Sequence, residues 1–199
     1  MNKKGGKMLK GTSLSGTSMT RDRVENDYYA TPRSSVESLL DNEKVGGLIL
    51  EPCVGGGHVA DVLKTVATKV NCIDIVDRGY EGTAEFNFLK LVPAPKYDWV
   101  VTNPPYKLAQ EFIEQSLKSV KENGKVAMFL KIQFLEGVKR KAFFEQYPPK
   151  TVYVFSKRQN PLRNGDPLDE KGKPWSSTMC FAWFVWEKGF SGDTVVKWI

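Results

Sequence analysis

Apolar residues along this chain follow two alternating rhythms. Short, mostly apolar runs at 48–50, 70–76, 97–102, 126–132, 151–155 and 179–186 have the length and content of strands covered on both faces. Between several of them, apolar side chains recur every three or four positions, the spacing of one helix face. Val36, Leu39 and Leu40 make one stripe, Val59, Val62, Leu63 and Val66 a second, and Phe112, Ile113 and Leu117 a third, while 136–146 reads as a further helix. Pro32 stands where a helix can begin, and Gly46-Gly47 and Gly124 stand where helices stop. This alternation predicts an α/β fold, a doubly wound and mostly parallel sheet with helices on both faces. The last two strands have no helix between them and are expected as an antiparallel pair at one edge. A polar segment, 156–178, separates them and carries Arg158, Arg163 and Lys173. A loop so long in a compact domain is either functional or disordered.

Size and charge narrow this picture. The 199 residues suit one well-filled core, expected as a single domain over 26–199. Residues 1–20 are rich in Gly, Ser, Thr and Lys without apolar periodicity, so 1–25 is expected as a disordered basic tail. Of the net charge of +6, that tail holds six basic residues against two acidic ones, leaving 23 against 21 in the remainder. The tail is either a solvated leader or a source of unspecific attraction to phosphate backbones. No run approaches the roughly 20 apolar residues that span a bilayer, and no secretory signal opens the chain, so a cytoplasmic protein without a membrane is expected. Cys53, Cys72 and Cys180 neither pair evenly nor cluster, and His58 is the one histidine. Free thiols and no metal site follow.

Two motifs carry chemistry. Glu51-Pro52-Cys53-Val54-Gly55-Gly56-Gly57 lies between a strand and a helix, where glycines let the backbone turn and approach a ligand. Read as Gly55-x-Gly57-x-x-Ala60, with Asp74 ending the next strand, it also fits a dinucleotide fingerprint, and a purely structural turn remains open. Glu51 adds a carboxylate able to accept from an ammonium group. Asn103-Pro104-Pro105-Tyr106 follows the strand at 97–102, at the end where open α/β sheets bind ligands. A side-chain amide, a proline-stiffened carbonyl and a flat ring together suit a planar, amine-bearing substrate.

Taken together, these residues resemble a class I S-adenosylmethionine-dependent methyltransferase, close to the small phage and prophage DNA N6-adenine enzymes. The resemblance implies the Rossmann-like class I fold, a seven-stranded mostly parallel sheet with an antiparallel C-terminal strand pair. It implies that Asn103, Pro104, Pro105 and Tyr106 are the catalytic group. For S-adenosylmethionine it implies Glu51, Pro52, Gly55 and Gly57 in the cofactor loop and Tyr29, Thr31 and Pro32 in a segment closing over the methionine part. Asp74 takes the ribose position, Asn87 and Phe88 the adenine position, and Asn103 also borders the cofactor. Cofactor motifs preceding the catalytic one match the gamma order. Asn87 stands where the family usually has Asp, and a separate target-recognition domain is missing, which leaves the 156–178 loop, a partner subunit or a homodimer to supply specificity.

An exocyclic adenine amine is a poor nucleophile because its lone pair is delocalised; acceptors at the Asn103 side-chain oxygen and the Pro104 carbonyl would free it. Tyr106 would stack on the base. Lys107, the cluster Lys139-Arg140-Lys141, Arg158 and Arg163 are candidate nucleic-acid contacts, each equally readable as a solvated charge. Trp183 and Trp186 are expected in the core, as are Cys53, Cys72 and Cys180, which argues against cysteine-dependent cytosine methylation. Expected is methyl transfer to adenine N6 in DNA, in a bacterial host cytoplasm. The alternatives are adenine in RNA, a glutamine amide in a protein, an NAD(P)-dependent oxidoreductase, or a cofactor-binding protein without turnover.

Overall fold

The computed structural model describes residues 29–163, 165–169, 171–174 and 178–199; the expected tail at 1–25 lies outside the described residues. Strand β1 (Tyr29–Ala30) leads into helix α1 (Arg33–Asn42), then β2 (Gly47–Glu51), α2 (His58–Leu63), β3 (Ala67–Asp74) and β4 (Thr83–Glu85). The second half holds β5 (Tyr97–Thr102), α3 (Ala109–Ser119), β6 (Val120–Lys131), α4 (Val138–Gln146), β7 (Thr151–Val154), β8 (Leu162–Arg163), β9 (Phe181–Glu187) and β10 (Val195–Trp198).

Eight strands form one sheet in the order β10-β7-β9-β6-β5-β2-β3-β4. All pairings are parallel except those of β9, which runs antiparallel between β6 and β7. The antiparallel pair is therefore present, with β9 inserted inside the sheet rather than added at its edge. The eighth strand, β10, escaped the sequence pattern. It is four residues long and exposed throughout, and it exists by pairing with β7. A separate antiparallel ribbon joins β1 to β8, with Tyr29 opposite Arg163 and Ala30 opposite Leu162.

The apolar runs are continuous because each strand feeds two cores, successive side chains pointing to opposite faces. Val126, Met128 and Leu130 of β6 and Phe184 and Trp186 of β9 enter the core under α3 and α4. Ala127 and Phe129, with Trp183 and Val185, enter the core under α1 and α2, joined by Val36, Leu39, Val59, Val62 and Leu63. Trp183 and Trp186 are fully buried, as expected. Their indole N–H groups donate to the carbonyls of Ser35 at 2.7 Å and Tyr147 at 3.0 Å, so neither ring carries an orphaned donor. Each such burial contributes about 1.5–3 kcal/mol relative to exposure. No helix among the described residues is long and apolar enough to cross a membrane, and no group of three or more potential metal ligands occurs among them.

Candidate active site at the switch point of the sheet

From β2 the chain moves outward through β3 to β4, then crosses back to place β5 on the other side of β2. The carboxyl ends of β2 and β5 therefore flank a topological switch point, where open α/β sheets leave a crevice. Register aligns Ile49 with Trp99 and Leu50 with Val100, so Glu51 and the start of the Asn103 run emerge side by side.

Glu51 is 1% exposed, and its Oε2 has no hydrogen-bond partner among the described residues. Burial, and then the charges of Asp74 and Asp61, push its pKa well above the usual carboxylate range; a hydrogen bond with the Ala60 backbone pulls the other way. The glycine loop that follows is pinned by Asp74, whose Oδ2 accepts from the Gly55 N–H at 2.8 Å and Oδ1 from the Val76 N–H at 3.1 Å. Gly57 caps α2 in the left-handed region, φ 86°, ψ 3°. A side chain there would overlap the ring of Tyr80, whose hydroxyl donates to Asp61 at 2.7 Å. Gly57 is thus required by the Tyr80 ring. Pro52 is buried, and His58 opens α2 as a helix-start residue.

Asn103 reaches across the crevice. Its Nδ2 donates to the Tyr29 carbonyl at 2.8 Å, tying β1 to the end of β5. Thr31, just beyond, is buried with an Oγ1 that has no hydrogen-bond partner among the described residues, and Pro32 precedes the first turn of α1. The ribbon continues the chain of contacts into the long loop, where Ser35 Oγ donates to Gln159 Oε1 at 2.7 Å. Pro104 is buried and Pro105 exposed. The Tyr106 ring lies 6.1 Å from Phe181, with the Lys131 ammonium 5.1 Å from its centroid. The Tyr106 hydroxyl is buried without a geometric hydrogen bond among the described residues, and burial raises its pKa against the opposing pull of the nearby Asn103 side chain.

Other expected residues sit differently. Asn87 Oδ1 accepts from the Leu89 N–H at 3.0 Å and caps a short helical turn. Phe88 is buried 5.4 Å from Phe112, leaving Phe86 as the exposed ring of that segment. Arg140 turns onto its own loop, Nη1 donating to the carbonyls of Glu136, Gln133 and Phe134 at 2.6, 3.1 and 3.3 Å. Arg158 Nη1 donates to the carbonyls of Thr178 and Met179 at 2.8 and 3.1 Å. Arg163 lies in β8 and Lys107 is exposed beside Tyr106. Cys53 and Cys72 are packing thiols, both pushed up chiefly by burial, Cys72 to about 11. Cys180 does not pack in a strand: it precedes β9, is exposed, and has the Arg158 guanidinium 3.3 Å from its sulfur.

Sequence reasoning passed over Ile75 and Lys131. Ile75 is 60% exposed immediately after Asp74, a position whose signal was an apolar residue continuing past the last strand carboxylate. Lys131 ends an apolar strand and marked itself only by being charged there. Two surface cavities of about 210 and 500 Å³ lie at the opposite end of the sheet, away from these residues.

Strand order, the inserted antiparallel β9 and the loop-bearing switch point define the class I Rossmann-like methyltransferase fold. Among solved structures, the chain is similar to a candidate class I S-adenosylmethionine-dependent methyltransferase from Listeria monocytogenes, at 13% identity and TM-score 0.54, covering 84% of this chain and 62% of that one. It is also similar to a candidate hemolysin from Lactococcus lactis, at 15% identity and TM-score 0.58, covering 83% and 91%. A third is the modification subunit of a candidate type I restriction enzyme from Vibrio vulnificus, at 13% identity and TM-score 0.55, covering 86% and 47%. The chain thus spans less than two thirds of the Listeria protein and about half of the Vibrio one. No protein-family model and no curated protein matches the sequence. The likeness is one of fold, and one fold hosts many activities.

Proposed function

We propose that this chain transfers a methyl group from S-adenosylmethionine to the N6 amine of adenine in DNA. The observation that carries the reading is the orientation of Asn103. Its Nδ2 donates to the Tyr29 carbonyl, which leaves Oδ1 as the amide's acceptor for a substrate amine. The buried, unpartnered Glu51 Oε2 and Thr31 Oγ1 suit a polar ligand bearing an ammonium and a carboxylate, and exposed Ile75 suits a flat adenine face. Gly55 and Asp74 would hold the ribose side, and Tyr29 and Pro32 would cover the amino-acid side.

The bound sulfonium supplies an activated methyl carbon. Asn103 Oδ1 and the Pro104 carbonyl accept the two amine hydrogens, favouring a pyramidal nitrogen with its lone pair aimed at that carbon. Bound there, S-adenosylmethionine would supply the methyl group and leave as S-adenosylhomocysteine, while the surplus amine proton would pass to water. Proline fixes the direction of the Pro104 carbonyl. Positioning and pre-set acceptors supply the acceleration, so no histidine base is required. The loop carrying β8 is the segment best placed to read bases around the target, because β8 pairs with β1 and β1 is held by Asn103. A partner subunit or a second copy is compatible with this arrangement, as with the modification subunit among the fold relatives.

Incubating the protein with labelled cofactor and either unmethylated DNA or RNA, then analysing nucleosides by mass spectrometry, tests the reading. N6-methyladenine from DNA is expected. Label in RNA or protein with none in DNA would overturn it.

A further inference from the structure

The turn between β6 and α4 is built stiffly and displays apolar residues outward. Phe134 anchors it from below, 5.7 Å from Phe144, 5.8 Å from Phe184 and 6.3 Å from Phe143. Above it the Arg140 guanidinium lies 4.7 Å from the Phe134 ring and takes three carbonyls of the turn. Gly137, at φ 132°, makes the corner into α4. On this clamped corner Leu135 is 44% and Val138 96% exposed. A single exposed aliphatic residue is ordinary; two on a corner held by a buried ring and three hydrogen bonds, beside a candidate catalytic run, are not.

The place matters as much as the exposure. The turn starts at Lys131, whose ammonium lies 5.1 Å from the Tyr106 ring centroid, and Leu135 follows Lys131 within about 14 Å of chain. Lys107, next to Tyr106 in the chain, and Lys139, next to Val138, are both exposed. Apolar side chains flanked by cations match an opened base stack between its phosphates, and an adenine cannot reach Asn103 without leaving that stack.

We propose that Leu135 and Val138 form a wedge that enters duplex DNA and fills the gap left by the extruded adenine, with Lys107 and Lys139 on the adjoining phosphates. The inference rests on the reading of adenine in DNA as the substrate. The wedge offsets part of the unstacking cost, so it acts on duplex and is idle on single strands.

Unmethylated genomic DNA, native or heat-denatured, separates these cases. For the full chain carrying Leu135→Ser and Val138→Ser, methylation of native DNA should fall about tenfold, equivalent to about 1.4 kcal/mol of lost help, with denatured DNA methylated at the original rate. Both positions are exposed, so the melting temperature should not move. Unchanged rates on both DNAs, or equal loss on both, would overturn the wedge while leaving the methyltransferase reading intact. Failure of the unmutated protein to methylate either DNA would instead remove the DNA reading, and the wedge with it.

Discussion

Replacing Gly57 by alanine places two separate demands on the glycine loop. The backbone at φ 86° lies in the left-handed region, which costs a non-glycine residue about 1–2 kcal/mol. The added Cβ would also overlap Cδ2 and Cε2 of Tyr80 and come within 2.7 Å of Cζ. The ring has to swing away, losing its 2.7 Å hydrogen bond to Asp61 and the Lys64 ammonium 4.6 Å from its centroid. A hydrogen bond to a charged group is worth about 1.5–3 kcal/mol, and an exposed cation–π contact about 0.5–1 kcal/mol. Gly57→Ala should therefore cost about 3–6 kcal/mol, a large share of the stability of an ordinary domain. Tyr80→Ala alone should cost about 2–4 kcal/mol. In the double variant the overlap has nothing to overlap with, so only the backbone demand remains on top. Urea unfolding of all four proteins measures the coupling, expected at about 2 kcal/mol or more below additivity. Additive costs would refute the claim that Gly57 is glycine because Tyr80 covers it.

Asn103→Ala should reduce kcat about 10²–10³-fold while calorimetric cofactor affinity changes less than about tenfold, since the lost acceptor acts on the amine rather than on the donor. Glu51 has a raised folded-state pKa, so its contribution to stability is complete below the ordinary carboxylate range and declines as pH rises towards the folded pKa. Thermal melting of the cofactor-free protein should thus fall over that window, and Glu51→Gln should flatten the slope; an unchanged slope would argue against a buried carboxyl. A thiol reagent at mildly alkaline pH should modify Cys180 quickly and Cys53 and Cys72 slowly, because Cys180 is exposed and burial raises the pKa of the others. Loss of the fast phase in Cys180→Ser checks the assignment.

The strands and helices were legible because burial on both sheet faces writes itself as unbroken apolar runs, as in 126–132, and helix faces write themselves as stripes such as Phe112, Ile113 and Leu117. The glycine loop with Glu51 and the Asn103 run were each readable for a related reason: residues adjacent in sequence need no tertiary information to be grouped. What sequence could not supply was contact between distant segments. Val195–Trp198 looks like an exposed tail until β7 lies beside it. Arg140 and Arg158 looked like surface cations until their own loops folded back to offer carbonyls. That a side chain at Gly57 would meet the Tyr80 ring became visible only once the fold brought the two together. And the Asn103 amide had no partner until the Tyr29 carbonyl, 74 positions earlier, accepted its N–H. Local chemistry is written in the order of residues; its direction depends on what the fold places opposite.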